Sequence, residues 1–333
     1  RARSPDWSKI RVPFLSAANW GGQGLHSRGN FEGFVRAASK QKWFEAHGSE
    51  HWTHFYTGYG RELQKRFFDF FLHGKDTSWS KQPKVLLQVR HVDRFVERSE
   101  EEWPIARTKW TTLYLDPASG SLTRSRPEKR AVRSFDALGE GVTFLAAPLR
   151  TETEITGPSA LKLFISSSTT DADIFVVVRV FSPDLKEVVF QGAIDPHTPI
   201  AQGWLRASHR KLDKKLSRPY RPYHTHDREQ KLKQGVVVEL DIEIWPTSIV
   251  VPAGYRVGAS IRGKDYEHGG ASGGRLSNFK NELKGCGPFL HDDPLDRPPE
   301  IFGGVTSLHF ARDKQPYLLL PIVPKRKPKV RLN

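Results

Sequence analysis

The side chains best suited to chemistry lie in Glu50-His51-Trp52-Thr53-His54, just past an apolar run. An imidazole on a loop after a strand is where a general base sits when it serves a nucleophile held elsewhere. His54 is the candidate for that role, and His51 reads as structural. The residues ahead of His54 offer it no nucleophile. Gly270-Ala271-Ser272-Gly273-Gly274 matches the G-x-S-x-G pattern letter for letter. A nucleophile elbow, however, needs a strand entering the turn and a helix leaving it. A strand ends near Arg262 and a polar stretch, Lys264 to Arg275, follows it, so this is read as a glycine-rich loop.

The remaining reactive types read more simply. His224-Thr225-His226-Asp227, with His209 and Asp195-Pro196-His197, contains metal-ligand types. The flanking Arg218-Pro219-Tyr220-Arg221-Pro222-Tyr223 reads as an extended loop, and no metal is assigned there. Asp171 and Asp173 bracket a turn before a strand and are read as turn caps rather than a calcium site. Trp103, Trp110, Trp204 and Trp245 could line a ligand groove, but packing is the simpler role for them. Cys286 is the single cysteine, so no intramolecular disulfide exists, and its thiol is expected to be inert.

Two regimes of periodicity must position these groups. From Arg11 to Lys75 the pattern is mixed α/β. Val12 to Ala18 is a nearly continuous apolar run, as in a buried parallel strand. A glycine-rich loop, Asn19 to Gly24, follows. Phe31, Phe34, Val35 and Ala38 then mark a helix face, with Asn30 placed to cap it. Lys42 to Ala46 predicts a second strand ahead of the His51/His54 loop. Leu63, Phe67, Phe70 and Phe71 predict another helix, stopped by Gly74. From about Val85 the helical periods vanish. Strand-like runs recur at Val85–Val89, Thr111–Leu115, Ala160–Ser166, Ile174–Phe181, Val188–Gln191, Val236–Ile244 and Tyr255–Ile261, between Pro, Gly and Asp turns. Strict alternation over Val238–Ile244 predicts one buried and one solvated face.

Both regimes together resemble the CocE/NonD hydrolase family, which includes cocaine esterase, α-amino-acid ester hydrolases and X-Pro dipeptidyl-peptidases. The resemblance rests on Val12-Pro13 through Trp20, Trp52-Thr53-His54, Phe67 to Gly74, Glu154 to Leu161, Ser166 to Asp173, Gly203 to Arg210 and Pro252 to Val257. It implies an α/β-hydrolase C-terminal segment over residues 1–80. An all-β jelly-roll sandwich of the galactose-binding-like kind follows over 81–324, and a basic tail over 325–333. It implies cleavage of an ester or amide, including X-Pro dipeptidyl bonds, by a serine through an acyl-enzyme. His54 falls on the catalytic base. The acid position falls on about Gly22, with no carboxylate between Ala18 and Glu32, and the serine elbow lies upstream of this chain. The alternative is a stand-alone, non-catalytic binding or interaction module that retains a vestigial hydrolase segment.

Bulk properties narrow the partners. The 333 residues carry a net charge of +15, 20 Phe, 9 Trp and no Met. The initial Arg and the lack of Met suggest a fragment or processed form. Lys and Arg are scattered among carboxylates, except in Lys325–Arg331, and no nucleic-acid-binding motif occurs, so a nucleic-acid partner is not expected. No apolar run reaches spanning length, so no membrane partner is expected either. No cofactor is implied. The expected partners are a small ester, amide or peptide substrate, a second copy of the chain, or a missing hydrolase segment. Exposed apolar surface is expected over 11–75, and the cysteine usage fits a cytoplasmic protein.

Overall fold

The protein is described from a computed structural model covering residues 5–48, 50, 52–275, 281–287 and 289–325. His51 and most of the basic tail lie outside the described residues. The chain is mostly β, with few helices.

The first sheet has four strands in the order β1 (Phe14–Asn19), β2 (Lys42–His47), β3 (Val85–Arg90) and β4 (Phe95–Glu100). β1, β2 and β3 are mutually parallel, and β4 returns antiparallel to β3. Helix α1 (Ser27–Arg36) joins β1 to β2. The short helix α2 (Thr53–Tyr56) and the longer α3 (Gly58–His73) join β2 to β3. Helices covering parallel strands leave those strands buried on both sides, and β2 is buried from Trp43 through His47.

Three expectations need correction here. Val85–Val89, grouped by periodicity with the later strands, instead pairs in parallel with β2. A fully buried parallel strand shows no alternation that would assign it to one sheet or the other. Helix α1 begins at Ser27, and Asn30 lies inside it, its Nδ2 donating to Ser16 Oγ (3.3 Å) rather than capping. The Gly22 carbonyl instead gathers the amides of Leu25, His26 and Ser27. Val188–Gln191 forms no strand: Phe190 makes an isolated bridge to Thr198, and Glu187, just ahead of the segment, makes another to Phe181.

The second sheet starts with β5 (Lys109–Asp116), β6 (Ser121–Thr123), β7 (Ala131–Asp136) and β8 (Val142–Ala146). It continues through β9 (Thr153–Ser167), β10 (Asp173–Phe181), β11 (Ala201–Arg206), β12 (Val238–Val251) and β13 (Arg256–Arg262). The short helix α4 (Pro299–Phe302), β14 (Val305–Phe310) and β15 (Tyr317–Ile322) complete it. The strand order runs β11-β10-β13-β8-β6-β5-β15-β9-β14-β7, with β12 paired along β9. β9 and β10 are far apart in that order. Yet Leu161, Leu163 and Ile165 share one apolar core with Ile174, Val176 and Val178, so the sheet closes over its own interior. The predicted alternation holds in β12, where Leu240, Ile242 and Ile244 are fully buried between more exposed neighbours.

Past Ile244 the alternation ends because the first sheet lands on the other face of β12. The Arg90 guanidinium, 1% exposed, donates to Ser248 O (2.7 Å), Ile200 O (3.0 Å) and Thr247 Oγ1 (2.6 Å). Val250 and Val323 enter the core of the first sheet beside Trp20, Phe31, Phe44 and Trp103. Arg28 pairs with Glu243 (2.8 Å), and Arg98 makes two bonds to Glu154. Among the described residues, no helix is long and apolar enough to cross a membrane.

Candidate active site

His54 is brought to the carboxyl end of β2 by a tight turn into α2 and α3. The Thr57 hydroxyl donates to the His54 carbonyl (2.7 Å) and accepts the Gly60 amide (3.1 Å), capping α3. Gly60 packs against that carbonyl so closely that a Cβ there would stand 2.2 Å from it. The candidate base thus sits in a short helix rather than in the open loop expected.

The residues facing it come from β2 itself. Glu45 and His47 are two apart on one strand, so their side chains share a face. Both are almost fully buried. Glu45 Oε2 lies 2.8 Å from His47 Nδ1, and Glu45 Oε1 lies 3.6 Å from His54 Nε2. The two imidazoles stack with ring centres 4.4 Å apart. The Tyr59 ring tilts against that of His54, their centres 5.0 Å apart.

Burial governs the electrostatics. It pushes the Glu45 carboxyl up, while the hydrogen bond and charge of His47 hold it back. It pushes His54 down to about 4, helped by the neighbouring His47. His54 is therefore neutral at neutral pH, with a lone pair available. Burial and the carboxylates of Glu45 and Glu97 push the Tyr59 hydroxyl upward.

Glu45, His47 and His54 open into a cleft of about 660 Å³, within the range of small-molecule sites. Its walls are largely apolar, with Phe14, Leu15, Phe55, Leu63 and Phe68 among them. No serine, threonine or cysteine occurs among its described lining residues. Trp52, Phe55, Tyr56, Phe68 and Leu72 leave much of their apolar surface exposed along α2 and α3.

Near Gly22, where an acid was sought, the backbone only forms the turn that starts α1. Glu45 is a carboxylate the sequence reading passed over as an ordinary strand residue. The Glu45-x-His47 spacing ahead of His54 was the signal that could have found it.

The other candidates lie elsewhere. Ser272 is exposed, its Oγ accepting the Gly274 amide (3.3 Å), while Gly273 packs on Pro196. No helix follows that loop before α4 among the described residues. His209 and His226 approach through their Nδ1 atoms (3.0 Å), but His197 stacks on His268 instead. Asp171 accepts the amides of Ala172 and Ser208, and Asp173 pairs with Arg206 and Arg297. Trp103 is core, Trp110 stacks on Tyr220, and Trp204 and Trp245 border a second cleft of about 610 Å³. Cys286 is buried, its thiol pushed up to about 12 by burial and by Asp265.

Comparison with known proteins shows what the chain resembles. The profile of the X-Pro dipeptidyl-peptidase C-terminal non-catalytic domain matches residues 77–282. A CocE/NonD family hydrolase from Staphylococcus aureus superposes with a TM-score of 0.85 at 29% identity, over 96% of this chain and 55% of that one. A Mycobacterium bovis protein provisionally named a serine esterase is 28% identical over 239 residues, 61% of this chain and 36% of its own length. The cocaine esterase of a Rhodococcus species is 21% identical over 303 residues, 78% of this chain and 45% of its own length. The chain thus spans only about a third to a half of these relatives. It belongs to the family of the X-Pro dipeptidyl-peptidase C-terminal non-catalytic domain and corresponds to the C-terminal portion of a CocE/NonD-type protein.

Proposed function

We propose that this chain is the C-terminal part of a serine hydrolase that cleaves ester or amide bonds through an acyl-enzyme when complete, with His54 as its general base. In this reading β1–β4 with α1 and α3 are the closing part of an α/β-hydrolase sheet, reaching past residue 80 to β4. β5–β15 form the jelly-roll sandwich beside it. The observation that carries the reading is the approach of buried Glu45 to His54, Oε1 3.6 Å from Nε2, towards the carboxyl end of parallel strands, where such sheets place their sites. Glu45 takes the orienting role sought near Gly22. A serine supplied from outside the described residues attacks the carbonyl and passes its proton to the neutral His54. His54 then returns that proton to the leaving group, and water releases the acid. The names of the matched esterases support an ester substrate. The exposed apolar side chains of α2 and α3 support cover by further hydrolase structure.

A second reading, a non-catalytic binding module, is favoured by one feature: an imidazole held near pKa 4 is a weak base. Hydrolysis of p-nitrophenyl esters and fluorophosphonate labelling separate the two. The product of the intact reading frame is expected to turn over esters, and His54→Ala should lower its kcat by about a thousandfold or more. Residues 1–333 alone should neither turn over nor label. An inert intact product sinks the catalytic reading, and a label on Ser272 overturns the assignment of that segment as a loop.

A further inference from the structure

Glu45, His47 and His54 place one carboxylate and two imidazoles so that their ligating atoms lie within 4.8 Å of one another, the one such group of three among the described residues. All three line the apolar cleft. Each is left with unmet demand. Glu45 is 2% exposed, and the basic side chains within 4 Å of it among the described residues are the two imidazoles, with no Lys or Arg beside it. A buried carboxylate without a fixed cation is costly. His47 is 4% exposed, and its Nε2 has no hydrogen-bond partner. His54 Nε2, also shut away from water, has none either. Orphaned buried nitrogens are uncommon, and a proton shared between Glu45 and one ring leaves the other unsatisfied.

We propose that Glu45, His47 and His54 bind one divalent transition-metal ion of the zinc class, with a coordination position left open to the cleft. Two imidazole nitrogens and a carboxylate oxygen suit zinc, cobalt(II) or iron(II), whereas magnesium and calcium take all-oxygen sets. A dication matches the buried negative charge and uses the free lone pairs of the rings. Three protein donors leave a tetrahedral ion one exchangeable ligand, which the cleft can supply. This site stands on its donors alone and does not depend on the hydrolase reading. Where both hold, a bound ion engages the His54 nitrogen, so ester turnover falls as metal loads.

The test is calorimetric titration of the EDTA-stripped protein with zinc chloride, paired with cobalt(II) absorption and thermal melts. One site per chain, visible tetrahedral cobalt bands and a zinc-dependent rise in Tm are expected. Glu45→Gln, His47→Gln and His54→Gln should each weaken binding more than about tenfold, and His226→Gln, in the other histidine cluster, should not. His54 lies on a short surface helix, so His54→Gln keeps the fold, which circular dichroism checks. No binding, or binding lost only in His226→Gln, overturns the proposal. A flat titration beside intact ester turnover fails this site alone, and intact metal binding without turnover fails the hydrolase reading alone.

Discussion

Asp265 favours the protonated form of His291, with Oδ1 2.9 Å from Nδ1 and Oδ2 accepting the backbone amide at 2.6 Å. That hydrogen bond raises the imidazole pKa above its ordinary value against the opposing effects of burial and Arg297. A raised folded pKa means the protonated form favours the native state. The stabilisation is therefore full below about 6.5 and is lost as pH rises through the folded value. The ring is half-exposed, so the contribution is under about 1 kcal/mol. Urea midpoints of the native protein and His291→Gln should differ at pH 5.5 and converge by pH 9, and a gap independent of pH would refute the link. At this same scale the sequence was partly legible. His54 stood out by its context, but Glu45 did not, since a carboxylate inside an apolar strand announces itself only through the partners the fold brings to it.

Among the elements, α3 shows how local signals decide boundaries. Leu63 and Phe67 bury against Trp43 and Trp79, and Gly74 ends the helix at φ 64°, its amide returning to the Asp69 carbonyl. A Cβ on Gly74 would meet nothing within 4 Å, so the cost of Gly74→Ala is conformational alone, about 1 kcal/mol. A urea midpoint that does not fall would contradict it. α3 was readable from the spacing of Leu63, Phe67, Phe70 and Phe71, and its stop from Gly74. α1 was harder, because its start depends on the Gly22 carbonyl gathering three amides, a contact without a side-chain signature. β3 was harder still. Val85–Arg90 carries no mark of which sheet it joins, and only its parallel register with Phe44, Glu45 and Ala46 decides.

For the whole molecule, Arg90 fastens the first sheet onto β12. Its guanidinium is buried without a carboxylate partner among the described residues, and burial lowers it to about 9. Arg90→Leu removes three hydrogen bonds across that junction and should cost about 2–4 kcal/mol, read from urea unfolding. Two separate unfolding transitions in the variant would mean the sheets had come uncoupled, whereas an unchanged midpoint would show the junction is held by apolar contacts alone. The order of the first sheet has a further consequence. β1 ends that sheet, so its outer side presents backbone donors and acceptors with no strand alongside among the described residues. Such a rim is a template for strand addition. The strand that borders the His54 cleft through Phe14, Leu15 and Ala17 is thus also the open rim of its sheet among the described residues. Whatever pairs there would become a wall of the cleft.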